Sequence, residues 1–117
     1  MKTIITCTLI GAISALLVSC ETQSAIHPVT VPSSGQTVNI SAAFDPLYGV
    51  DGGLIIYFNG QEVTRGIISV AGFTKATGSW HGSDVVAMIT EIETTGKPIK
   101  QAEISIDEQH VTTISVQ

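Results

Sequence analysis

The densest run of chemically capable side chains is Ser79-Trp80-His81-Gly82-Ser83-Asp84. A serine, an imidazole and a carboxylate are the parts of a nucleophilic triad. Such a triad needs three groups converging in space, with the base oriented by the third. Neighbours in one loop rarely converge that way, and there is no Gly-x-Ser-x-Gly elbow. His27, His81 and His110 stand at no metal-ligand spacing from one another or from a cysteine. Asp45, Asp51 and Gly52-Gly53 read as turn chemistry, because the alternating oxygen ligands of a calcium loop are missing. Residues 72–79 (GFTKATGS) echo a phosphate loop but lack the lysine directly after its second glycine. No catalytic residue, metal site or cofactor is expected, and the chain reads as a binding module.

The binding candidates are aromatic. Trp80 is the one tryptophan, with His81 beside it and Phe73 on the same expected loop. Large rings supply buried area at the cost of few torsions, so they anchor interfaces. Two readings of Trp80 stay open: an exposed anchor, or a plug of the domain core with its N–H bonded to backbone. Tyr48, next to the turn at residues 51–53, has the same two readings.

The N-terminus explains where such a module would work. Lys2 is followed by an apolar stretch over residues 4–18. Fifteen residues fall short of the roughly 20 that a membrane span needs, and match the core of a signal peptide. The stretch ends in Leu17-Val18-Ser19-Cys20, which resembles the lipobox of bacterial lipoproteins. That resemblance covers residues 1–20. It implies cleavage after Ser19, diacylglycerol on the Cys20 thiol and an acylated amino group. Two or more chains are needed because one gives only marginal, reversible attachment. It also implies a cell-envelope location. Glu21 points to the outer membrane in a Gram-negative source, where Asp in that place commonly signals inner-membrane retention. Cys7 leaves with the signal, so the mature domain has no disulfide.

Residues 21–35 carry two prolines, several hydroxyl side chains and no periodicity. They read as a flexible tether over 20–35, although residues 29–31 can add a short edge strand. A tether of about 15 residues reaches roughly 20 Å.

Charged residues make up 13% of the chain, about half the usual share. All ten acidic residues lie beyond Cys20 and face only Arg65, Lys75, Lys97 and Lys100. Nucleic-acid phosphates need clustered cations, so nucleic acid is excluded as a partner. The same scarcity disfavours a basic patch for anionic lipid.

From Thr37 the pattern is β. Val38, Ile40 and Ala42 alternate with Asn39, Ser41 and Ala43. The sharpest signal is Asn59-Gly60 between two apolar runs, a type I′ hairpin placing Phe58 opposite Gln61 and Ile56 opposite Val63. Further strands are expected at 66–70 and 85–93, then one carrying Ala102, Ile104 and Ile106 and one carrying Thr112, Ile114 and Val116, with a loop at 72–79. About seven strands with regular turns predict an all-β, single antiparallel sandwich over 36–117. In architecture it resembles the immunoglobulin sandwich, without that family's Cys…Trp…Cys framework.

Three functional classes follow. The first is a lipid-anchored envelope module with a membrane attachment and an envelope protein partner. The second is a protective lipoprotein that blocks a surface receptor or inhibits a wall-degrading enzyme. The third is a carbohydrate-binding accessory, which would need Trp80 and Tyr48 as flat platforms.

Overall fold

The structure, a computed structural model, describes residues 23–69 and 72–117. The expected signal peptide, Cys20, Glu21 and Val70 lie outside the described residues. The described chain is all-β. Its eight strands are β1 (His27–Thr30), β2 (Thr37–Asp45), β3 (Gly53–Phe58), β4 (Gln61–Ile67), β5 (Phe73–Trp80), β6 (Ser83–Ile92), β7 (Ile99–Ile106) and β8 (Gln109–Val116).

They form two four-stranded antiparallel sheets, ordered β1-β2-β3-β4 and β5-β6-β7-β8. Each strand therefore pairs with its neighbour in sequence, and the two meanders are joined by residues 68–72. Immunoglobulin sandwiches exchange strands between sheets, so the likeness to them extends to two packed sheets and not to connectivity.

Alternation explains the layering. Val38, Ile40 and Ala42 on β2 share one buried core with Val85, Ala87 and Ile89 on β6, and Ile104, Ile106, Ile114 and Val116 complete the inner face of the second sheet. Most of these side chains are wholly buried. Each buried Ile, Leu or Phe stabilises the fold by about 1.5–3 kcal/mol relative to exposure. Phe58, Leu54 and Ile56 fill the centre from β3.

Three hairpins close with two-residue turns in which both residues have positive φ. These are Asn59-Gly60 (53° and 82°), His81-Gly82 (47° and 86°) and Asp107-Glu108 (50° and 68°). This is the type I′ pattern, whose twist suits paired strands. In the third turn, Asp107 offsets part of the strain: Asp84 N–H donates to Asp107 Oδ1 at 2.9 Å, and Asp107 N–H to Asp84 O at 2.8 Å.

Several expectations change. The segment expected as a loop over 72–79 is strand from Phe73 onward: β5 turns Ala76 and Trp80 toward the core and Phe73 and Lys75 outward. Its inward positions before Trp80 are Thr74, Ala76 and Gly78, too small or polar to mark an apolar alternation. The strand expected at 66–70 is the end of β4, which runs through Ile67. A bulge at Ile56/Tyr57 pairs Ile56 with Thr64 rather than Val63, while Phe58 does pair with Gln61. The strands number eight, because β1 falls inside the segment read as a tether.

That segment is folded from Gln23 onward. Gln23 bridges to Ala43. Ser24 N–H donates to Ala42 O at 2.8 Å, and Ala42 N–H donates back to Ser24 Oγ at 2.8 Å. Val29 and Val31 are buried. Apolar valines on an edge strand gain more by covering the core than the two prolines cost, since an edge strand tolerates a missing N–H.

Both pairs of sheet edges meet. On one side His27 Nδ1 lies 2.8 Å from Thr112 Oγ1, linking β1 to β8. On the other, Thr64 Oγ1 donates to Thr77 O at 2.9 Å, linking β4 to β5. There Gly78 is required, because a Cβ on it would stand 2.4 Å from the Val63 carbonyl oxygen.

Candidate functional site

The register sorts the loops to two ends. One end carries the turns at 31–36, 59–60, 81–82 and 107–108; the other carries the longer connections at 46–52 and 93–98, the end of β4, the start of β5 and the C-terminus. Trp80 and His81 belong to the tight-turn end. Phe73 and Tyr48 belong to the opposite one, so the four candidates do not form one site. Phe73 and Trp80 begin and end β5, roughly 23 Å apart at the usual rise per residue.

Trp80 is half-buried, between the exposed and the core position. Its ring packs on buried Phe58 with centroids 5.5 Å apart and planes tilted by 58°. A tilted aromatic pair of this kind is worth about 0.5–1.5 kcal/mol beyond area burial. On the solvent side His81 lies flat on the indole, at 4.2 Å and 13°. The positive φ of His81 folds the turn back and brings the imidazole over its own neighbour.

Next to this stacked pair is a shallow pocket of about 200 Å³, lined by Val31, Ser33, Ser34, Gln36, Trp80, His81 and Ser83. The β1–β2 turn supplies one wall. Val31 N–H donates to Gln36 O and Gly35 N–H to Val31 O, both at 2.8 Å. Ser33 Oγ is 3.3 Å from Ser83 Oγ, which stitches this turn to the β5–β6 hairpin. The pocket therefore presents hydroxyl and amide groups around one aromatic edge, on a backbone held by two sheets. It can donate and accept hydrogen bonds to a polar loop while burying part of an apolar side chain.

The histidine, serine and aspartate of this run are engaged in other ways. His81 stacks on Trp80, Ser83 meets Ser33, and the Asp84 backbone pairs with Asp107. Among the described residues no group of three or more His, Cys, Asp or Glu is placed to hold a metal.

Tyr48 lies at the far end. The Arg65 guanidinium sits over its ring at 5.1 Å, and the ring edge packs on Gly53. Arg65 also donates to both carboxylate oxygens of Glu62 at 2.8 Å and to Asp45 Oδ2 at 3.3 Å. The hydrogen bond from Arg65 holds the Glu62 carboxyl below its ordinary value, and the same bond raises that of Arg65. Phe73 is exposed and faces outward.

Sequence reasoning missed Ser33, Ser34, Gln36 and Val31. Val31, Ser33 and Ser34 fall in the segment that reads as a tether, Gln36 stands just after it, and the Ser33–Ser83 contact spans fifty residues of chain. Comparison with known proteins gives no match: no family model, no curated protein and no solved structure is similar to this chain.

Proposed function

We propose that the protein is a lipid-anchored recognition module of the bacterial cell envelope. It is attached through Cys20 and binds an envelope protein with the tight-turn end that carries Trp80 and His81. The observation that supports this most is the pocket beside the stacked Trp80–His81 pair. A half-buried aromatic ring, adaptable hydroxyl and amide groups and a rigid backbone make the kind of surface that holds a protein loop. Anchoring raises the effective concentration toward other envelope components, so a small patch suffices.

A carbohydrate-binding role is less well supported. Sugar stacking needs a bare aromatic face, whereas His81 covers the outer face of Trp80 and Arg65 covers Tyr48. The receptor-blocking or inhibitory role is a special case of the same module.

The test uses the lipidated protein on native envelope membranes, with chemical cross-linking. Gln36→Arg and Ser34→Trp fill the pocket at exposed positions outside the core. They are expected to abolish a cross-linked partner that the parent protein retains, while leaving the melting temperature unchanged. Cys20→Ser is expected to lose the membrane. A partner held equally well by the filled-pocket variants would refute the assignment of the binding end.

A further inference from the structure

We infer that the end of the sandwich opposite Trp80 is a membrane seat: it rests on the lipid bilayer through Leu47, Val50, Ile67, Phe73 and Ile92. The inference rests on the anchored reading above and adds an orientation to it.

The apolar residues come first. Among the described residues, five of the six large hydrophobic side chains that stand exposed belong to this end. Leu47 is 90% and Val50 98% exposed, both on the 46–52 connection. Gly49, between them, packs against Ile67, so the connection lies over the end of β4. Phe73 opens β5 opposite Thr90, and Ile92 closes β6 opposite Ile99. The five side chains thus come from both sheets and ring one end. A single exposed Leu means nothing in a water-soluble surface, but a cluster gathered from four segments marks an interaction surface.

The second observation is where the chain comes from. β1 runs antiparallel to β2, and Gln23 bridges Ala43, near the end of β2 that leads into the 46–52 connection. The described chain therefore starts at the apolar end, with Cys20 three residues before Gln23. A span of three residues is at most about 11 Å. An acylated Cys20 at that distance brings the bilayer to this end and not to the other.

The third observation is charge. Lys97 shares the 93–98 connection with Glu93, Asp51 lies on the 46–52 connection, and Lys100 Nζ sits 4.4 Å above the Phe44 ring at the same end. The four tight-turn segments of the other end contain no Lys or Arg, and Asp107 and Glu108 form one of them. A negative bilayer surface therefore repels the tight-turn end, whose turn acids have no cation among them, more than the apolar one. The occupant is accordingly a lipid surface, and Trp80 faces away from it.

The experiment reads depth with indole fluorescence. Protein matured in a bacterial host is first weighed for acyl groups, then placed in phosphatidylethanolamine/phosphatidylglycerol vesicles with or without bromine on the acyl chains. In the parent protein Trp80 is expected to keep its emission in both. In Leu47→Trp and Val50→Trp, whose positions are too exposed to disturb folding, the added emission is expected to be lost on the brominated lipid. Acylated protein whose added indoles stay bright overturns the seat and leaves the anchor standing. Chain that carries no acyl group overturns the anchor; the seat then survives only if the unacylated chain still floats with the vesicles, and loss of flotation overturns both. Added indoles shielded without vesicles, in a chain that sediments as a dimer, assign this end to a second copy and overturn the seat.

Discussion

Replacing Gly78 by alanine sets two effects of opposite sign against each other. In extended backbone, alanine should stabilise by about 0.5–1 kcal/mol, because it loses less chain entropy on folding than glycine. The structure predicts the reverse here. The new Cβ would stand 2.4 Å from the Val63 carbonyl oxygen and 3.2 Å from Thr64 Cβ. Both obstacles are on or next to β4 backbone, so neither can swing aside. Separating β4 from β5 removes the clash but stretches the Thr64–Thr77 bond, already 2.9 Å long. Thr64 is 7% exposed, so water replaces that partner poorly. Overpacking costs about 1–3 kcal/mol and the lost bond about 0.5–1.5 kcal/mol. After the entropy gain is subtracted, Gly78→Ala should destabilise by roughly 2 kcal/mol, within limits of about 0.5 and 4. The central value corresponds to a fall of roughly 8–16 °C in melting temperature for a domain of this size. Circular dichroism and Trp80 emission, two residues along the same strand, both report the transition. Gly96→Ala is the control: nothing lies within 4 Å of its Cβ position, so it should not destabilise. Equal stability of the two variants would mean that the sheets do not approach at Gly78, and would refute the closed seam.

Glu108→Gly should stabilise. Glu108 takes φ 68° at a turn position where the other two type I′ turns have glycine. Relief of left-handed strain, about 1–2 kcal/mol, exceeds the extra entropy cost of glycine, about 0.5–1 kcal/mol. Urea titration should show a higher midpoint with an unchanged slope, and a lower midpoint would contradict the turn geometry. The Glu62 carboxyl is held below its ordinary value of 4.5, so its contribution to stability is complete above that pH and is lost as pH falls through the lowered folded value. Arg65→Gln should flatten this acid limb of the melting curve, weakly because the pair is exposed to solvent. An acid limb identical to that of the parent protein would show the pair to be idle.

The parts of the fold carried by strong local alternation were legible in the sequence. Val38, Ile40 and Ala42 announced β2, Asn59-Gly60 announced the β3–β4 hairpin, and Ala102, Ile104 and Ile106 announced β7. What could not be read depends on partners distant along the chain. β5 has the composition of a loop and becomes a strand because β6 offers it a full ladder. The bulge that shifts Ile56 onto Thr64 leaves no compositional mark. Trp80 and His81 were visible as candidates, but the Ser33–Ser83 contact that makes a pocket beside them depends on β1 folding against β2. Likewise, Leu47, Val50 and Phe73 are scattered in sequence and share an end only once both meanders have formed.

Strands paired only with their neighbours impose an order on assembly. Each ladder begins from a turn or short connection, so little chain entropy is lost before hydrogen bonds reward it. One closure is costly: His27 must reach Thr112 across 85 residues, which removes roughly 4 kcal/mol of chain entropy. Such a contact forms late, after the barrier to folding has been crossed. His27→Ala should therefore accelerate unfolding in stopped-flow experiments and leave the refolding rate almost unchanged; a slowed refolding limb would place this closure before the barrier. The last contact to form would also be the first to open, and β1, which leads back to the proposed anchor, would be the strand released by a pull on the N-terminus.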